Sequence, residues 1–169
     1  MSRPRQSALL SLIALAAASA ACVSAGTPGP SPFPNAPRPV ARSTDAGSAA
    51  ALIATALQFR GVPYRLGGDE PRRGFDCSGF VHYVFEQHHV TLPRTVAEQY
   101  EVGAKVSLSR LEPGDLVFFA TTASNATHVG LAIGPDQFIH APGTGGVIRI
   151  DRVDAPYWKA RALGARRVY

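Results

Sequence analysis

The apolar residues of this chain change their period once, at Pro113-Gly114, and that change limits the folds open to it. Before it the spacing is helical. Ala49 to Phe59 makes a helix that Gly61 and Pro63 stop. From Cys77 to about His89, the intervals between Phe80, Val81, Val84 and Phe85 put them on one buried face of a second helix. Thr95 and Glu98 form a capping box that opens a short third helix. A turn-rich stretch from Gly67 to Gly74 separates the first two. Beyond Pro113-Gly114 the apolar runs are short: Leu116 to Phe119, Val129 to Ile133, Gln137 to His140, Val147 to Ile150 and Leu163 to Val168. Helices followed by about five antiparallel strands predict an α+β domain, with N-terminal helices packed on a C-terminal sheet. There is no internal repeat.

The 169 residues leave room for one modest domain and some extra chain. The start is basic, with Arg3 and Arg5, and leads into an Ala-rich apolar run from Ala8 to Val23. A comfortable membrane span needs roughly 20 apolar residues. The shorter run, ending in Ala18-Ser19-Ala20-Ala21, reads as a secretory signal peptide over residues 1–21. Ala20-Ala21-Cys22 resembles a lipobox, although Ser19 stands where Leu is usual, so Cys22 is the expected site of lipidation and of a membrane anchor. Ordinary cleavage after Ala-x-Ala is the alternative. Residues 22–46 hold Pro28, Pro30, Pro32, Pro34, Pro37 and Pro39 and form an extended tether. The folded domain is expected over residues 47–169. Net charge is +5 and drops by two when Arg3 and Arg5 leave with the signal. The remainder is scattered, without basic runs, and argues against nucleic-acid binding.

Two cysteines are present, Cys22 and Cys77. If Cys22 carries lipid, Cys77 has no partner within the chain and reads better as a reactive thiol than as half of a disulfide. Cys77 falls where its helix begins. Free N–H groups there favour negative charge, which predicts a lowered thiol pKa. Taken alone, that position also suits a structural cysteine. A thiol nucleophile further requires an imidazole base. Of five histidines, His82, His88 and His89 ride on the Cys77 helix. His82 lies about 140° around the axis, and His88 returns to the face only about 16 Å away. These three read as surface residues. His128 opens one strand and His140 ends the next. With Gly134-Pro135-Asp136 as a three-residue hairpin loop, His140 lies opposite Gly130. His128 is then a diagonal neighbour at roughly 7–8 Å, and Gly130 leaves room for the rings to meet. A slip of one residue in register would undo this pairing.

The blocks Asp76-Cys77-Ser78-Gly79-Phe80, His128-Val129-Gly130 and Phe138-Ile139-His140-Ala141 resemble the three catalytic blocks of the NlpC/p60 cysteine peptidase family. Gly61 to Gly68, Leu92-Pro93-Arg94-Thr95, Pro113 to Phe119 and the ending from Tyr157-Trp158 to Arg167 resemble further family blocks. All stand in family order from about Ala49 to Tyr169. The resemblance implies a papain-like fold with Cys77 as nucleophile, His128 as base and His140 as orienting residue. It implies that Tyr64 lines the site, and that Asp76 and Ser78 hold the free amine of the substrate peptide. The implied substrates are stem or cross-link peptides of peptidoglycan, cut next to diaminopimelic acid without a cofactor. By family analogy the setting is a monomer, lipid-anchored to the outer membrane of a Gram-negative bacterium. Three other readings stay open: an acyltransferase or amidase on the same fold, an inactive wall-binding lipoprotein, and a metal site built from Cys77, His128 and His140. The last lacks the close Cys or His pairs usual for zinc.

Overall fold

The computed structural model describes residues 46–168, with side chains from Ala49 onward. The predicted signal peptide, Cys22 and all but the last residue of the predicted tether lie outside the described residues. No helix among the described residues is long and apolar enough to cross a membrane.

Helix α1 (Ala46–Leu57) buries Leu52 and Ala56. A small hairpin follows, β1 (Asp69–Glu70) with β2 (Gly74–Phe75), inside the turn-rich stretch. Helix α2 (Cys77–Glu86) begins where Asp76 caps it: the carboxylate accepts the N–H of Gly79 at 2.7 Å. Phe80, Val81, Val84 and Phe85 form its fully buried face. Helix α3 (Val96–Tyr100) opens on a complete capping box between Thr95 and Glu98.

Strands β3 (Ala104–Val106), β4 (Leu116–Phe119), β5 (His128–Ala132), β6 (Gln137–His140), β7 (Arg149–Arg152) and β8 (Ala162–Arg167) form one antiparallel sheet, with helix α4 (Pro156–Lys159) between the last two. The order across the sheet is β3-β8-β4-β5-β6-β7. Six strands replace the expected five or so. The extra one, β3, is short and largely exposed, and is set by pairing with β8 rather than by an apolar pattern. β7 begins two residues later than expected, because Val147 bridges to Pro63 instead.

Side chains alternate across the sheet, which separates the core into two clusters. On one face Leu116, Phe118, Val129, Leu131 and Ile139 pack on α1 and α2. On the other Val117, Phe119, Phe138 and Ala165 pack on Trp158 of α4. Every residue of β4 is therefore buried, which explains the unbroken apolar run Leu116-Val117-Phe118-Phe119. Asp115 is fully buried just before β4, and Arg167 of β8 holds both its oxygens, at 2.8 and 2.9 Å.

Candidate active site

Cys77 is a free, half-buried thiol at the first residue of α2. The backbone N–H groups of Val129, Ser78 and Cys77 itself lie near its sulfur and favour the thiolate. Val129 follows His128 directly, so the start of α2 meets the start of β5 at the sulfur. Beside it, Asp76 is tied down on both oxygens. Oδ1 accepts from Gly79 N–H, the Ser78 hydroxyl and Arg94 Nη1, at 2.7, 3.2 and 2.9 Å. Oδ2 accepts from Gly67 N–H at 3.0 Å and Arg94 Nη2 at 2.8 Å. Gly79 is required here. A Cβ on it would strike the Gly68 carbonyl and crowd Asp76 Oδ1 at 3.0 Å and Arg94 Nη2 at 3.1 Å.

The histidines come from the other face of the sheet. Leu131 pairs with Ile139 and Ala132 with Phe138, the register that sets His140 opposite Gly130. The expected diagonal contact follows: His128 Nε2 and His140 Nδ1 are 2.8 Å apart. A Cβ at Gly130 would strike the Phe138 ring and press on His140 Cβ at 3.1 Å. Trp158 stacks on His128 at 5.3 Å and 23°, and meets His140 edge-on at 5.0 Å. Both imidazoles are buried, at 4% and 0% exposure. The row continues one step further, with His140 Nε2 at 3.0 Å from Asp151 Oδ2 on β7. That oxygen also accepts from Trp158 Nε1 and from Arg149 Nη2, each at 3.0 Å.

Burial dominates the protonation of the site. It pushes His128 down to about 3, helped by the nearby His140 and opposed by Asp151. It takes His140 to about 4, against the hydrogen bond that His140 donates to Asp151. The lowered pKa expected for Cys77 is corrected. Burial raises it, Asp76 adds to the rise, and the N–H groups of Val129, Ser78 and Cys77 only partly offset both. Thiol and imidazoles therefore rest uncharged. Burial also works against the charge on Asp76, but Arg94, the Gly79 N–H and the Ser78 hydroxyl outweigh it and hold this carboxyl below the ordinary range. Tyr64 is raised, by burial first and then by the charges of Cys77 and Asp76.

The structure thus brings Tyr64, Asp76, Cys77 and Ser78 together at the start of α2, with His128 and His140 linked next to them. The other histidines are engaged elsewhere. His82 Nδ1 meets the Leu92 carbonyl and His88 Nε2 the Thr55 hydroxyl, each at 2.8 Å. Both are half-buried, so only His89 matches the expected surface placement. Sequence reasoning missed three groups. Arg94 lay within a quoted block but had no role assigned. Asp151 had no signal, because its partner is 11 residues away on another strand. Trp158 belonged to a terminal block whose contacts only the fold supplies. Among the described residues no cluster of three or more His, Cys, Asp or Glu is arranged to hold a metal.

An α+β domain with a free thiol at a helix start, beside linked histidines on an antiparallel sheet, has the papain-like arrangement. Residues 61–167 match the NlpC/P60 family, and the chain belongs to that family. It is similar to murein DD-endopeptidase MepS/murein LD-carboxypeptidase of Escherichia coli K12, with 50% identity over 111 residues, 65% of this chain and 57% of that one. The chain therefore spans little more than half of MepS. The protein NlpC of the same bacterium is 41% identical over 136 residues, 79% of this chain and 87% of that one. Among solved structures, an NlpC/P60 family protein from Bacillus cereus superposes with a TM-score of 0.67 at 36% identity, over 71% of this chain and 40% of that one.

Proposed function

We propose that this chain is a thiol-dependent endopeptidase of the bacterial cell wall that cuts peptide cross-links of peptidoglycan. The observation that carries the reading is a free thiol at a helix start, next to a buried imidazole pair linked at 2.8 Å. Kinship with MepS supplies the substrate class. The DD-endopeptidase activity of MepS favours the D-alanine–diaminopimelate cross-link over the bond after D-glutamate.

In this reading Cys77 is the nucleophile, His128 its base and His140 the orienting residue. Because thiol and imidazole rest uncharged, Cys77 gives its proton to His128 as the sulfur attacks the carbonyl carbon. His128 passes that proton to the amine nitrogen as the C–N bond breaks, leaving a thioester on Cys77. Water then attacks the thioester with His128 taking its proton, and the thiol is restored. Tyr64 keeps its hydroxyl proton and is a donor near the sulfur. Asp76 and Ser78 form the wall that takes the free amine of the substrate peptide. Asp76 stays ionised there and shares its charge between that amine and Arg94. No cofactor takes part.

We assign the catalytic domain to residues 47–169, behind a signal peptide (1–21) and a Pro-rich tether (22–46). Lipid on Cys22 would hold this monomer to the outer membrane, facing the periplasm of a Gram-negative bacterium. Mass spectrometry of the mature protein tests the anchor: a mass without added lipid on Cys22 rejects it.

The function is tested by digesting cross-linked muropeptides and identifying the products by mass spectrometry. Cleavage at the D-alanine–diaminopimelate bond is expected, blocked by iodoacetamide and indifferent to chelators. Cys77→Ala should lower the rate by about 10⁴-fold or more. Retained cleavage by that variant would sink the mechanism, and cleavage only after D-glutamate would sink the choice of bond.

A further inference from the structure

We infer that Asp151 is the positioning residue that sets the tautomers of both imidazoles and so leaves Nδ1 of His128 as its basic nitrogen. The inference deepens the proposed function and rests on it for the role of His128. Its geometric part stands apart from any activity.

Three donors surround the Asp151 carboxylate besides His140. Arg149 Nε reaches Oδ1 at 3.1 Å, while Arg149 Nη2 and Trp158 Nε1 reach Oδ2 at 3.0 Å each. An ionised carboxylate only accepts hydrogen bonds. His140 Nε2, at 3.0 Å from Oδ2, must therefore carry the ring's proton. A neutral imidazole has one N–H, so His140 Nδ1 is an acceptor. It lies 2.8 Å from His128 Nε2, which must then be the donor. That spends the single N–H of His128 on its neighbour, and its Nδ1 keeps the lone pair. Each choice forces the next, and Asp151 makes the first one. The same chain acts when His128 takes the thiol proton. The imidazolium then formed is one hydrogen bond from His140 and two from a fixed negative charge.

Among the described residues, Asp151 is the anion that bears on the imidazole pair. The charged groups that bear on the imidazole pair are Asp151 and Arg149, both on β7. The other faces of the rings meet Phe119, Phe138 and Trp158, which carry no charge. Arg149 is positive and works against an imidazolium, so only Asp151 favours it. Trp158 contributes twice, by stacking on His128 and by donating to Asp151 Oδ2. The sequence separation hides this arrangement: Asp151 stands opposite Phe138, two residues before His140 on the neighbouring strand.

Imidazole ¹⁵N shifts of the wild-type protein at neutral pH are the direct test, repeated in Cys77→Ala, where no turnover is needed. Both His128 and His140 are expected as Nε2–H tautomers. His140 protonated on Nδ1 would overturn the inference outright. Asp151→Asn replaces an obligate acceptor by a group that can also donate, so the tautomers should mix. The expected kinetic effect is a fall in kcat of about 10- to 100-fold with KM little changed. The acid limb of kcat/KM should also move down by about one pH unit, because a charge favouring imidazolium is gone. A merely structural Asp151 would move neither the tautomers nor that limb. Asp151→Asn with wild-type kcat and unmixed tautomers would reject the inference. If Cys77→Ala still hydrolysed muropeptides, the enzymatic reading would fail instead, and the ¹⁵N spectra would still decide the tautomers.

Discussion

Asp76 and Asp151 close the two ends of the site, and they are held by different means. Asp76 precedes Cys77 in the chain and is bound by the backbone at Gly67 and Gly79 as well as by Ser78 and Arg94. It fixes where a helix starts. Asp151 stands on the edge strand β7 and is bound entirely by side chains, those of His140, Trp158 and Arg149. It fixes how two rings face. Burial differs too. The Asp76–Arg94 pair has side-chain exposures of 10% and 35%, the Asp151–Arg149 pair 21% and 52%. One carboxylate thus anchors chain geometry and the other anchors protonation.

The largest expected effect separates the two ends by pH. His128 and His140 have folded pKa values pushed below the ordinary 6.5, to about 3 and about 4. The unfolded chain therefore binds more protons than the folded one below pH 6.5. Stability is fully present above that pH and falls as pH drops towards 4, by up to about 1.4 kcal/mol per pH unit for each histidine. Asp76 has its folded pKa below the usual 3.8, so its contribution persists through this window and is lost only at lower pH. Thermal melts across pH 7 to 4 should slope downward, and His128→Gln should flatten the slope. A flat wild-type profile would break the comparison at its histidine end.

Next in size is the contrast between the two arginines. Arg94→Ala leaves a nearly buried carboxylate without its cation and should cost about 2–3 kcal/mol in denaturant melts. Arg149→Ala removes a half-exposed partner while His140 and Trp158 remain, and should cost less than about 1 kcal/mol. Equal losses would remove the distinction. Gly130→Ala forces Phe138 and His140 apart and should cost about 1–3 kcal/mol, with activity falling more than stability. Another small effect is that of Trp158→Phe, which keeps a ring over His128 but removes one donor to Asp151. About 1 kcal/mol and a few-fold in kcat are expected from calorimetry and muropeptide kinetics.

Much of this was legible along the chain. The buried face of α2 and the Thr95–Glu98 box depend on neighbours three or four residues apart, and both formed as the local pattern requires. The meeting of His128 and His140 was readable because a three-residue hairpin ties strand register to chain numbering. The strand β3 was not, since an edge of three half-polar residues exists only through its partner β8. Nor was the protonation of Cys77. The helix start is a local feature that lowers a thiol pKa, whereas burial and Asp76 raise it, and burial is a property of the assembled fold.

The sequence alone determined that helices precede the main strands, the α+β class, the placement of Cys77 at a helix start and the family blocks around it. Each of these rests on spacing within one segment or across one tight turn. Only the tertiary structure decided that Arg94 locks Asp76, that Trp158 covers the imidazoles, and that Asp151 ends their hydrogen-bonded row. Those contacts join segments whose separation is set by sheet order and two-sided packing, and neither is written into any single stretch of the chain.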